Sequence, residues 1–125
     1  MNQSLPILTS SGGYGHISAT IALEEALHAA GIATHRVFAL TDIVGSCDAM
    51  ARLSCGRLSG EDLYNILLRR RHYGAINGIV SIGLSYYAWK KRRMDALCRA
   101  YIEREMPQAV ISVAPLINGS MARAC

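Results

Sequence analysis

The sequence predicts an α/β fold, with a parallel sheet and a long helical insert, on three observations. A short apolar run at residues 5–10 ends in serine, a helical period begins soon after it, and a β-branched run occupies residues 109–113. Short apolar runs bounded by turn residues are typical of strands buried on both faces, as parallel strands are. The length of 125 residues corresponds to one domain, residues 1–125, with a single hydrophobic core.

The N-terminal third predicts a strand, a helix and a second strand. The first strand is Leu5 to Ser10. From His16 onward, apolar residues recur at three- and four-residue steps, which predicts a helix that ends before Gly31. Residues His35 to Leu40 return to strand character. This order forms a βαβ unit with parallel strands and a right-handed crossover.

The segment from residue 44 to residue 106 predicts helices only. Glycines separate four helical pieces, which are Asp48–Arg57, Glu61–Arg71, Ile76–Trp89 and Lys90–Glu105. Pro107 ends the last of them, and the third strand at residues 109–113 is closed by Pro115 and Gly119. If this strand pairs with the free side of the first strand, the carboxyl end of the first strand lies at a topological switch point. Ligands bind there in open α/β sheets.

The stretch "SSGGYGH" joins the first strand to the first helix. We expect the backbone N–H groups of Gly13 to His16 to point outward at the helix N-terminus, where an anion or oxyanion is favoured. The spacing matches neither the dinucleotide fingerprint nor the Walker loop, so a plain structural turn stays open. A neutral imidazole at His16 could accept a proton from a hydroxyl, and the alternative is a capping or bystander histidine.

Basic residues are concentrated in one segment. Residues 69–104 hold nine of the thirteen lysines and arginines against two acids, a local charge of +7. Such a face usually meets phosphate, of nucleotide, nucleic acid or anionic lipid, or is simply solvated. Nucleic acid is disfavoured because no recognition motif is present and the aromatic residues are not interleaved with the cations.

The apolar residues 76–89 lie between two groups of cations. This segment is too short to cross a bilayer. Aromatic rings at its end and cations on both flanks suit the membrane–water interface, and a buried core helix is the alternative. The residues predicted to contact the membrane are Arg69, Arg70, Arg71, Tyr86, Tyr87, Trp89, Lys90, Lys91, Arg92 and Arg93.

The four cysteines form no Cys-x-x-Cys pair and have no histidine at metal spacing. The sequence also begins without a charged and apolar signal segment. We therefore expect a reduced, cytoplasmic setting, no disulfide framework and no metal.

The chain resembles the N-terminal domain of monogalactosyldiacylglycerol synthase-type glycosyltransferases in the order of its segments. These are "TSSGGYGHISATIALEEAL", "YNILLRR", the basic insert with Trp89, and "MPQAVISVAPL". Processive diacylglycerol glucosyltransferases belong to that group, and the peptidoglycan lipid-intermediate glycosyltransferases are more distant. The resemblance covers nearly the whole chain. It implies a Rossmann-like sheet that is the N-terminal half of a two-domain enzyme, in which this half receives the lipid and docks on the membrane.

The same resemblance implies roles for the loop. Gly12, Gly13, Tyr14 and Gly15 match the family's glycine-rich loop, whose backbone would approach the donor phosphates or the acceptor. His16 matches the histidine proposed as general base. A UDP-sugar is the implied co-substrate, with no tightly bound cofactor and no metal, because no Asp-x-Asp element is present.

The sequence departs from the family in two ways. Ala114 stands where relatives commonly carry histidine before proline. The chain also stops at Cys125, about where the family's acceptor domain would still need further strands and the entire donor domain would follow, so we expect the acceptor-side domain to be incomplete and the donor domain absent. We expect a hexosyltransferase acting on a lipid alcohol such as diacylglycerol, peripheral on the inner face of a membrane. The isolated chain would be inactive without a donor domain, which a separate chain could supply. The alternative is a truncated, non-catalytic protein that binds anionic membrane or a partner chain.

Overall fold

The computed structural model describes residues 4–125 and has a parallel sheet of three strands. These are β1 (Leu5–Thr9), β2 (Thr34–Phe38) and β3 (Ile111–Ser112), in the order β2-β1-β3. Leu8 at the centre pairs with Val37 on one side and Ser112 on the other. The predicted α/β class and parallel sheet are confirmed, and the carboxyl end of β1 lies at the switch point.

The predicted βαβ unit is confirmed. Pro6 to Thr9 are buried, as expected for the central strand of a parallel sheet. Helix α1 (Tyr14–Ala29) follows the glycine-rich loop and ends where Gly31 adopts a φ of 77°. An L-residue rarely adopts this conformation, so glycine is the natural helix stop.

The insert is helical, as predicted, but the first piece is shorter than expected. The helices are α2 (Ala49–Leu53), α3 (Gly60–Arg69), α4 (Tyr73–Trp89) and α5 (Lys91–Glu105), preceded by a π-helical turn at Ala39–Ile43 and a 3₁₀ turn at Gly45–Cys47. The prediction of a helix from Asp48 to Arg57 is wrong beyond Leu53. Cys55 and Gly56 there have φ values of 53° and 81°, which turn the chain back.

The C-terminal segment also differs from the prediction. Helix α5 ends because Met106 is left-handed, with φ 42°, one residue before Pro107. The third strand pairs over Ile111–Ser112 only, and a further helix, α6 (Pro115–Ala124), follows where the sequence predicted a closing turn. Proline at the first position of α6 is favourable, because the amide it lacks has no partner there.

One face of the sheet packs against α5 and α6. Leu8 and Val37 contribute to a buried cluster with Cys98 of α5 and Ile117 of α6. An ion pair joins the same two helices at the surface, since Arg123 Nε and Nη2 donate to Asp95 Oδ2 and Oδ1 at 3.0 and 2.7 Å. These hydrogen bonds hold the pKa of Asp95 well below its ordinary range.

This ion pair predicts a specific dependence of stability on pH. Because the folded-state pKa of Asp95 is depressed, its contribution is present above the unfolded pKa, about 3.9, and is lost as pH falls further. Asp95→Asn should reduce the decrease in the free energy of unfolding, measured with urea, between neutral and acidic pH. Arg123→Gln should flatten it similarly, and the double variant should add little; fully additive effects of the two variants would contradict the coupling.

Candidate functional site

A cleft of about 550 Å³ lies at the carboxyl end of β1. Its floor is buried and polar, with Ser10 and Glu61, while its rim is exposed and apolar. Leu53 is 81% exposed, Ile82 72% and Leu84 54%. The volume lies within the range of small-molecule sites, and the gradient from apolar rim to polar floor suits an amphiphilic ligand.

Helix α4 forms the apolar wall of this cleft. Ile79, Val80 and Gly83 line it, and Leu63 of α3 faces the same space. A Cβ built on Gly83 meets nothing within 4 Å, so the glycine leaves room along the wall. The lining is overwhelmingly hydrocarbon, which favours an alkyl chain over a sugar or a nucleotide in this part of the cleft.

His16 lies in the first turn of α1, is half-buried and lines the cleft. Its backbone carbonyl accepts a hydrogen bond from the Thr20 hydroxyl at 2.8 Å, and the Thr20 and Thr9 hydroxyls lie 2.7 Å apart. These buried bonds hold the first turn of α1 against the end of β1. The hydrogen bonds found across residues 4–125 include none to the His16 imidazole, so the ring remains available to a ligand.

The glycine-rich loop holds an internal anion, the carboxylate of Glu61 in the first turn of α3. Glu61 Oε1 accepts from the Ser10 hydroxyl and from the amides of Ser11 and Gly12 at 3.1 and 3.2 Å, and Oε2 accepts from the Ser11 hydroxyl at 2.7 Å. Glu61 is only 8% exposed. The loop therefore does bind a carboxylate, as its helix N-terminal position predicts, but the carboxylate belongs to the same chain.

Asn65, one turn after Glu61, completes the link between loop and α3. The Gly13 amide donates to Asn65 Oδ1 at 3.0 Å, and Asn65 Nδ2 donates to the Ser11 carbonyl at 2.8 Å. The prediction that the Gly13 amide points outward is therefore wrong. Among residues 4–125, no hydrogen-bond acceptor is found for the amides of Tyr14 and Gly15.

A second buried acid, Asp48, lies in the cleft wall. It caps α2 by accepting from the Met50 and Ala51 amides at 2.9 and 3.1 Å, and it accepts from the Gly60 amide at 2.8 Å. Burial raises the pKa of the nearby Tyr87, and the charges of Asp48 and Glu61 raise it further. The Tyr87 hydroxyl therefore stays protonated at neutral pH.

The structure brings together only part of the predicted loop site. Gly12 and His16 line the cleft, whereas Gly13, Tyr14 and Gly15 do not. The Tyr14 side chain is 66% exposed on the outside of α1, where its hydroxyl lies 3.4 Å from Arg69 Nη2. The cleft and the first-turn amides of α1 are thus neighbouring but distinct surfaces.

The predicted membrane residues separate into two groups. Tyr86 and Tyr87 are half-buried and line the cleft, which matches the core-helix alternative for these two. Trp89 is 74% exposed, and Lys90 Nζ lies 4.3 Å from the centre of its ring. Lys91 pairs with Asp95. No ion pair within residues 4–125 involves the exposed arginines Arg69, Arg70, Arg71, Arg92 and Arg93.

The described residues hold neither a metal-ion cluster nor a membrane-spanning helix. Residues 4–125 contain no group of three or more metal-ligating side chains placed to hold a metal ion. No helix in that part of the chain is long and apolar enough to cross a membrane.

Comparison of the chain with known protein families, curated proteins and solved structures gave no match. The class that the fold and site define is thus an α/β protein with a parallel sheet and an apolar cleft at its switch point.

Sequence reasoning missed Glu61, Asn65 and Asp48. The Ser59 and Asp62 pair forms a capping box that fixes the start of α3, and this signal could have placed Glu61 in the first turn. It could not have shown that the carboxylate is buried against a loop fifty residues away, because a first-turn glutamate is usually solvated and only favours the helix dipole.

The backbone of the loop predicts opposite effects for two glycines. Gly13 has φ 80° and ψ 164°, a conformation nearly restricted to glycine, so Gly13→Ala should cost about 1–3 kcal/mol of unfolding free energy. Gly15 is helical and a Cβ there meets nothing within 4 Å, so Gly15→Ala should stabilise by about 0.5–1 kcal/mol. Urea unfolding of both variants measures this difference, and equal effects would show that the Gly13 conformation is not required.

Proposed function

We propose that this chain is the acceptor-binding, Rossmann-like N-terminal domain of a UDP-sugar-dependent glycosyltransferase that transfers a hexose to a lipid alcohol. The observation that carries the proposal is the cleft, which has an apolar wall on α4 and is lined by His16 beside a polar floor. An alkyl chain fits the wall and a hydroxyl fits the polar end. The family resemblance supplies the donor and the reaction.

In the proposed reaction, the acceptor hydroxyl oxygen attacks the anomeric carbon of the UDP-sugar and the bond to UDP breaks. His16 takes the proton of the hydroxyl as the new bond forms, which is the role of a general base. The Thr9 and Thr20 hydroxyls fix the helix turn that carries His16. They act as positioning residues, because they hold its backbone rather than its ring.

The loop suggests where the donor phosphates approach. The amides of Ser11, Gly12 and Gly13 donate within the chain, so the first-turn amides of Tyr14 and Gly15 are those left for an external anion. The positive end of the α1 dipole lies at the same place. We therefore propose that the donor phosphates contact the Tyr14 and Gly15 amides, beside Arg69, rather than the whole predicted loop from Gly12 to Gly15.

The surface around the cleft mouth fits a peripheral position on the cytoplasmic face of a membrane. Leu53, Ile82 and Leu84 are exposed at the rim, and Trp89 is exposed at the end of α4. Arginines that form no ion pair within residues 4–125 follow α3 and begin α5. Exposed apolar side chains flanked by cations bind headgroups and shallow acyl chains together.

The proposed membrane contact predicts binding that depends on anionic lipid and salt. Arg70→Gln with Arg71→Gln should weaken partitioning to phosphatidylglycerol vesicles roughly thirtyfold at low salt, since each cation contributes about 1 kcal/mol. The control, Arg36→Gln with Arg104→Gln, removes the same charge from cations already paired with Glu24 and Glu105. Vesicle co-sedimentation measures both, and equal binding to neutral and anionic vesicles would contradict the electrostatic contact.

The catalytic proposal predicts the effect of removing His16. With a UDP-sugar-binding domain of a glycolipid glycosyltransferase fused or co-expressed, His16→Ala should lower kcat about 10²- to 10⁴-fold, the usual contribution of a general base. His28→Ala on the same helix is the matched control, because His28 is exposed and its imidazole, within residues 4–125, bonds only to the Thr34 hydroxyl. Transfer of labelled sugar to a diacylglycerol reports the rate.

Two outcomes of that assay would contradict the proposal. An undiminished kcat in His16→Ala would remove this residue from the mechanism. Vesicle binding without any transfer, whichever donor domain is supplied, would favour the non-catalytic membrane protein instead.

A further inference from the structure

The cleft lining and the exposed arginines of this chain carry opposite charges. Asp48 and Glu61 both line the cleft, are buried at 6% and 8% exposure, and form no salt bridge within the described residues. The described lining contains no lysine or arginine, and His16 is its only basic side chain. The arginines lie outside, on exposed positions of the surface.

The hydrogen bonds of the two acids leave their negative charge in place. Glu61 accepts from loop amides and serine hydroxyls, and Asp48 accepts from three amides, so both are bonded by neutral donors. Neutral donors stabilise a carboxylate but do not cancel its charge. In a cleft of low polarity, two such charges repel an entering anion far more strongly than the same charges would in water.

We propose that Glu61 and Asp48 make the cleft reject amphiphiles with an anionic headgroup, so that it takes a neutral lipid alcohol in preference to anionic lipids. This proposal rests on the proposed function for the identity of the cleft as the acceptor site. It adds the residues that set specificity. Repulsion of the wrong ligand is an effective way to obtain such discrimination.

Exclusion of anionic lipids from the cleft would matter because the basic surface binds them. A protein that docks through Arg70 and Arg71 lies on a membrane surface rich in anionic lipid. A neutral acceptor would then compete with an excess of charged lipid that has the same chains. The two buried acids of the cleft would repel the charged docking lipid and admit the neutral acceptor.

The test measures displacement of a fluorescent monoacylglycerol from the 125-residue chain by lauryl amphiphiles that differ only in headgroup. The competitors are monolauroylglycerol, dodecyl phosphate and dodecyltrimethylammonium, all below their micelle concentrations. High salt screens the exposed arginines but acts much less on the buried acids. In the wild-type chain we expect monolauroylglycerol to compete about tenfold or more better than dodecyl phosphate, and the cationic amphiphile to compete at least as well as monolauroylglycerol.

Variants assign the selectivity to the two acids. Asp48→Asn keeps a good helix cap, and Glu61→Gln removes the charge at the loop; each should reduce the preference for the neutral ligand several-fold. Gly83→Leu fills the cleft wall and should weaken all three ligands. Gly78→Leu, on the same helix but outside the cleft and with open space around its Cβ, is the matched control that should change none.

The outcomes separate the two proposals. Equal or tighter binding of dodecyl phosphate in the wild-type chain at high salt overturns the selectivity while leaving a lipid-binding cleft intact. Failure of the fluorescent monoacylglycerol to bind, or binding that Gly83→Leu leaves unchanged, overturns the acceptor cleft together with the selectivity. Competition of the three amphiphiles for the wild-type chain tests the selectivity even if circular dichroism shows that Glu61→Gln does not fold.

Discussion

The burial of the Glu61 carboxylate against the glycine-rich loop is the interaction on which the cleft depends. It joins two segments far apart in sequence, the turn after β1 and the first turn of α3. Asn65 adds a reciprocal pair of bonds to the same loop. Since α2 is tied to α3 through Asp48 and Gly60, the loop, α2 and α3 form one connected wall. Loss of the carboxylate would leave buried amides and hydroxyls without partners, which costs more than the bonds themselves contribute.

Local pattern was sufficient to predict most of the secondary structure. The apolar run of β1, the helical period of α1 and the Gly31 stop follow from side-chain spacing and backbone freedom, which act over a few residues. Helix α6 is not predicted, because Pro115 after a strand is typical of a turn, although proline also suits the first position of a helix. The sequence leaves the strand order open, since pairing of β1 with β3 is decided by packing across the whole insert.

The candidate site was predictable only in its polar half. His16 and Gly12 carry a recognisable motif, and the structure brings both to the cleft. The apolar half comes from α2, α3 and α4, and no local pattern states which faces of these helices meet. The burial of the two acids was the feature hardest to predict, because Glu61 and Asp48 have the sequence context of ordinary first-turn and capping residues. Their burial follows from tertiary contacts with Ser10, Ser11 and Gly60.

A glycine-rich turn between a strand and a helix is an anion site by construction, because several amides converge at the positive end of a helix dipole. The chain can fill such a site itself, and the Glu61 carboxylate does so here. An internal anion keeps the loop ordered without a ligand and changes what the neighbouring space can accept. An empty loop of this kind attracts phosphate, whereas the loop occupied by Glu61 adds a negative charge to the adjoining cleft. The chemical preference of the cleft is therefore set by the occupant of the loop as much as by the loop itself.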